Sequence, residues 1–182
     1  MYKIQLAEDP REPKQREELL TETIRSFSVF EEGAAIEIRR TEKGKPYLFD
    51  VQLEGSSEKI HFSVSHSGSL WACVVSDRVC GLDVQELRPA SFEALAVRYY
   101  SHREADHVKS AGLKGFYEIW IRREALAKYT GLGFFGMSDK RPELVTAEGE
   151  PAADVQWDGC RVIFEEISVP EGYLAVWCHG EE

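Results

Sequence analysis

One stretch of this chain occurs twice. TEKGKPYLFDVQLEG at residues 41–55 returns as TAEGEPAADVQWDG at residues 146–159, with one residue dropped. Further on, Ser63, Val64, Gly68 and Leu70 line up with Ser168, Val169, Gly172 and Leu174 at nearly the same offset. A helix-patterned segment precedes each copy, at residues 14–27 and 116–129. Self-similarity of this kind restricts the fold to two related units. The expected class is α+β: a pseudo-dimer of two related α+β halves, each an antiparallel sheet packed with a long helix. Residues 1–85 make the N-terminal half and residues 86–182 the C-terminal half. A ligand site is expected at their junction, where clefts commonly form.

Length and charge narrow the function. The 182 residues suit one domain or two small fused ones. A formal net charge of −10 argues against general nucleic-acid binding. No apolar run approaches a membrane span, and the first residues lack the pattern of a signal peptide. Cys73, Cys80, Cys160 and Cys178 are widely spaced with no CxxC, which reads as free thiols in a reducing cytoplasm.

Strands are expected near residues 2–6, 34–39, 59–65, 70–76 and 79–84, then at 143–146, 154–157, 160–167 and 173–178. SHSG at residues 65–68 reads as a tight turn. Ser91 and Ser101 read as helix caps, the second with Glu104 as a capping box.

The sharpest chemical signal is WIRREALAKYTGLGFFG at residues 120–136. On a helix, Trp120, Glu124 and Lys128 follow one another at i, i+4 along one face. Taken alone, Glu124 and Lys128 are an ordinary surface ion pair. The glycine-rich ending admits a second reading, in which both charges point at a metal-bound phosphate. Asp83 and Gln85 are two apart on an expected strand and share a face. Asp83 is either a turn or capping aspartate or, with Glu124, one of two oxygen ligands for Mg²⁺. Ser65 and His66 supply donors for phosphate or ribose oxygens, or serve turn geometry alone. Lys45, between Gly44 and Pro46, is either a phosphate lysine or a solvated one. His102, Asp106 and His107 read as the polar face of a helix rather than a metal cluster.

In combination, GKPY at residues 44–47, FSVSHSG at 62–68, GLDV at 81–84 and the 120–133 stretch occur in the order seen in 4′-phosphopantetheinyl transferases. The resemblance is to the larger, surfactin-synthetase-activating type, a pseudo-dimer of two α+β halves. It runs from about residue 44 to 136 and more loosely through the later strands. It implies transfer of phosphopantetheine from coenzyme A to a serine of an apo carrier protein (acyl, peptidyl or aryl), with release of adenosine 3′,5′-bisphosphate. Position by position, it implies that Asp83 and Glu124 hold Mg²⁺. Glu124 also activates the carrier serine, and Lys128 stabilises charge on the phosphates. Lys45, Ser65 and His66 bind coenzyme A, with His66 near the 3′-phosphate. A single chain supplying both halves is expected to be a cytoplasmic monomer.

Three departures stand out. Gln85 occupies a position where many members carry a third acid (GIDIE), and is expected to hold a metal-bound water. The family's early basic residues are represented only by Arg16. The chain is acidic, so an acidic carrier requires a local basic surface, expected from Arg103, Lys114, Arg122 or Arg123 beside Phe134 and Phe135. The Gly131 to Gly136 loop is the expected docking rim. The alternatives are a non-catalytic homologue that binds coenzyme A or a carrier protein, and a metal-dependent phosphohydrolase.

Overall fold

Strand alternation sets the architecture. In β5 (Leu70–Ser76) every residue is buried, because its two faces serve two cores. Trp71, Cys73 and Val75 face one cluster with Leu20 and Ile24 of α1 (Pro13–Arg25), while Leu70, Ala72 and Val74 face another. A continuous apolar run is what a strand buried on both sides requires. Each fully buried side chain of this size contributes about 1.5–3 kcal/mol. The structure, a computed structural model, describes residues 1–27, 35–49, 59–89, 92–133, 136 and 141–181. The expected roles of Ala34, Ser91, Phe134 and Phe135 lie outside the described residues.

Three antiparallel units carry the strands. The first sheet has β1 (Tyr2–Glu8), β5 and β4 (His61–Ser67) in the order β1-β5-β4. A separate hairpin pairs β2 (Glu37–Arg40) with β3 (Pro46–Phe49). The second sheet runs β6-β9-β8-β7, from β6 (Cys80–Glu86), β9 (Tyr173–Gly180), β8 (Cys160–Glu166) and β7 (Asp154–Trp157). Residues 143–146 form no strand; Val145 makes one isolated bridge to Pro151.

The inner face of the first sheet packs on Leu82, Val84, Ala175 and Trp177 of the second. The opposite face of the second sheet, with Val162, Phe164, Val176 and Cys178, packs on Ile119, Ile121, Ala125 and Leu126 of α3 (His102–Thr130). The layers therefore run α1, first sheet, second sheet, α3. A short helix, α2 (Phe92–Tyr99), packs against α3 through Ala96 and Phe116.

Two placements differ from the sequence reading. That reading ends the first half at Gln85, yet β6 pairs along its length with β9, from Cys80 opposite His179 to Glu86 opposite Tyr173. The sheets divide after Ser76: β6 pairs with β9, with Gly81 turned against α3. The echo also holds only in part. Ser63 and Val64 lie in β4, whereas Ser168 and Val169 lie in the connection after β8, which is longer than the two-residue link from β4 to β5.

The repeated turns do match. Gly44 N–H donates to the Thr41 carbonyl, and Thr41 N–H to the Lys45 carbonyl; Gly149, Thr146 and Glu150 make the same pair of bonds. Lys45 N–H donates to Thr41 Oγ1 at 3.1 Å, and Glu150 N–H to Thr146 Oγ1 at 3.4 Å. Strand order agrees as well: in each sheet the first strand in sequence sits beside the last, followed by the one before it.

α3 begins as its sequence predicts. Glu104 N–H donates to Ser101 Oγ, and Ser101 N–H donates back to Glu104 Oε2. It ends at Gly131, whose φ of 69° is the left-handed cap. Gly112, at φ 65°, breaks it into two helical segments. Glu104 and Arg123, both buried, tie the segments together at 2.6 Å.

Candidate active site

The site forms where β4, β6 and α3 meet. β6 lies close enough to α3 that a Cβ at Gly81 would stand 2.0 Å from the Ala125 carbonyl oxygen. Glycine at that position lets the strand approach, and Asp83, two residues on, points at the same helix. Asp83 is buried, and its Oδ1 accepts hydrogen bonds from Lys128 Nζ at 2.8 Å and Ser65 Oγ at 2.7 Å. Its Oδ2 accepts from Gln85 Nε2 at 3.0 Å. Lys128 thus pairs with Asp83, not with Glu124.

Glu124 lies one helical turn before Lys128. Burial, then the charge of Asp83, pushes its carboxyl above the usual glutamate range, and Lys128 acts in the opposite sense. Glu124 and Lys128 line two neighbouring cavities. One, about 510 Å³, also takes in His66, Asp83, Gln85, Tyr117 and Trp120. The other, about 240 Å³, takes in Lys43, Lys45, Ser63, Gly131 and Gly133. An acidic floor therefore opens toward a lysine-lined groove, an arrangement suited to an anionic substrate carrying several charges.

Lys45 is anchored on α3, where its Nζ donates to the Tyr129 carbonyl at 3.0 Å. Burial lowers the pKa of this ammonium. Ser65 and His66 do not sit on a turn. β4 continues to Ser67, and the turn is formed by Gly68 and Ser69. Strand alternation therefore sends the two side chains to opposite faces. His66 is 49% exposed, with Nδ1 3.8 Å from Asp9 Oδ2. Arg16 does not line either cavity. Its guanidinium is bidentate to Asp9, at 2.7 Å from each oxygen.

Sequence reasoning missed Asp9, Lys43 and the pair Ser63 and Ser67. The alternating serines of FSVSHS were the available signal for the last two. The expected basic docking surface is reduced. Arg122 and Arg123 are buried, bound to Glu166 and Glu104, and Lys114 pairs with Glu118. His107 is a satisfied helix residue, bonded to the Gly149 carbonyl and to Glu118.

A divalent cation fits the acidic floor. Asp83 and Glu124 line one cleft, and burial first, then the charge of Asp83, holds the Glu124 carboxyl above its usual range. No group of three or more His, Cys, Asp or Glu side chains suited to a metal occurs among the described residues. Two carboxylates suit Mg²⁺, which keeps waters and takes its remaining oxygens from substrate phosphates.

No protein-family model matches the chain. Curated relatives do. The chain is 34% identical over 113 residues to a provisionally named 4′-phosphopantetheinyl transferase of Haemophilus influenzae, covering 58% of this chain and 45% of that protein. It is 31% identical over 100 residues to the 4′-phosphopantetheinyl transferase psf-1 of Bacillus pumilus, covering 52% and 40%. It is 25% identical over 141 residues to the 4′-phosphopantetheinyl transferase Sfp of Bacillus subtilis, covering 75% and 60%. The chain spans about half the length of the curated relatives it matches. With Asp83, Glu124 and Lys128 gathered in one cleft, these similarities support the 4′-phosphopantetheinyl transferase superfamily, and its enzyme class, as the one this chain resembles.

Proposed function

We propose that this protein transfers the 4′-phosphopantetheine arm of coenzyme A to a serine hydroxyl of an apo carrier protein. The observation that carries the reading is the meeting of Asp83, Glu124 and Lys128 beside a groove lined by Lys43 and Lys45. The diphosphate of coenzyme A lies along Lys128, with Lys45 as a second cationic donor. Lysine suits this role as a point charge. Glu124 takes the proton of the carrier serine, directly or through one water. Its raised pKa favours this role, because a general base works best near the operating pH. The serine oxygen forms a bond to the phosphorus next to pantetheine. The bond to the bridging oxygen breaks, and adenosine 3′,5′-bisphosphate leaves. Positioning and charge supply most of the acceleration in such transfers. Mg²⁺, held by Asp83 and Glu124, supplies charge neutralisation on the diphosphate when bound.

The architecture belongs to the same reading: a single chain of two related halves, of the larger pseudo-dimeric type, acting as a monomer. The matched turns and strand orders support it. Among the described residues no helix is long and apolar enough to cross a membrane. All four cysteines are free, which suits a reducing cytoplasm.

The test is transfer of a labelled pantetheine arm from coenzyme A to a panel of apo carrier proteins with Mg²⁺, read as the mass gain of the carrier. Absence of transfer to every carrier class, with folded protein present, overturns the reading. Calorimetric binding of coenzyme A without transfer would instead mark a binding protein, and cleavage of coenzyme A without an acceptor a phosphohydrolase.

A further inference from the structure

β4 and β6 are the terminal strands of their two sheets, and no backbone ladder joins them among the described residues. Three hydroxyls do. Leu82 N–H donates to Ser63 Oγ at 3.0 Å, and Glu86 N–H donates to Ser67 Oγ at 3.1 Å. Between them, Ser65 Oγ donates to Asp83 Oδ1 at 2.7 Å. Ser63 to Ser67 and Leu82 to Glu86 are both steps of four, so the strands run parallel. The serines share the inner face of the first sheet with Leu70, Ala72 and Val74 of β5, their antiparallel partners. Leu82 is buried, and a buried backbone donor left without an acceptor is costly.

We propose that the serine face of β4 stands in for a missing strand at the open edge of β6. Ser63 and Ser67 satisfy two outward N–H groups of β6, those of Leu82 and Glu86, and fix its register. Ser65 is a positioning residue that holds the Asp83 carboxylate in the cleft. This role differs from that of a substrate ligand, because the Ser65 hydroxyl proton is already committed to Asp83. The kinetic part rests on the transferase reading; the structural part does not.

Two measurements on the full chain test it. Amide hydrogen exchange by NMR is compared in the wild type, Ser63→Ala and Ser67→Ala, with Ser63→Thr and Ser67→Thr retaining a hydroxyl. The alanine variants should speed exchange roughly tenfold, at Leu82 and Glu86 respectively, relative to other β6 amides, which matches one lost hydrogen bond. The threonine variants should not. Unchanged exchange at both amides overturns the proposal. In the transfer assay, Ser65→Ala should lower kcat roughly tenfold or more while leaving KM for coenzyme A within roughly twofold, and Ser65→Thr should restore it. A raised KM at unchanged kcat makes Ser65 a ligand and overturns its positioning role. If the wild type transfers nothing, the proposed function fails and the exchange result alone decides the strand proposal.

Discussion

Asp83 receives hydrogen bonds from Ser65, Lys128 and Gln85, so its carboxylate has a fixed direction. Substituting Asp83→Ala should abolish Mg²⁺ dependence and lower turnover by at least roughly a hundredfold, as for other lost charge stabilisers. An unchanged rate would remove Asp83 from the metal assignment. Lys45→Ala should instead raise KM for coenzyme A with kcat nearly kept, since Lys45 lines the groove beyond the acidic floor. In the proposed mechanism Glu124 sets the pH response. Its carboxyl is held above the ordinary range, so the rate should rise with pH through that raised value, as the base deprotonates. Lys128 acts to lower it, so in Lys128→Met the acid limb of the rate profile should move to higher pH. The pair Glu124 and Lys128 was legible from helical spacing. The partner of Lys128 was not, because it lies 45 residues away on another element. Ser65 and His66 were misread as a turn because serine, histidine and glycine favour turns locally. Here the serines find their acceptors and donors on β6, and a strand results.

At the scale of elements, β6 and α3 approach closely, and Gly81 permits it. Gly81→Ala would place a methyl against main-chain atoms of α3 that cannot swing aside. The expected cost is at least about 1–3 kcal/mol, read as a lower urea midpoint. Glu104→Ala should cost about 3–5 kcal/mol by the same measure, because it strands Arg123 buried without its partner. The start and end of α3 were readable from Ser101, Glu104 and Gly131, since caps are local chemistry. The sequence reading starts one helix at Ser101 and places a separate long helix at residues 116–129; the break at Gly112 divides α3 between them. The basic surface expected from Arg122 and Arg123 failed for the opposite reason. Helical spacing does not tell which charged side chains have distant acids to pair with, and Glu166 and Glu104 take these two.

Over the whole molecule, two sheets lie between α1 and α3, and a net charge of −10 surrounds a cleft containing Lys43, Lys45 and Lys128. The two proposed substrates should therefore respond oppositely to salt. Raising ionic strength from about 0.01 to 0.15 M should lower KM for an acidic carrier by screening repulsion, and raise KM for coenzyme A by screening the lysines. Steady-state kinetics at both salts decides this. The repeat pointed to two units, whereas the division between the two sheets required the strand pairing of β6 with β9. The turns at residues 41–45 and 146–150 carry one further consequence. Threonine, glycine and the main chain close both in the same way, while positions 43 and 45 are lysine and positions 148 and 150 are glutamate. The turn stores its shape in one set of positions and its electrical sign in another, so either can be rewritten without erasing the other.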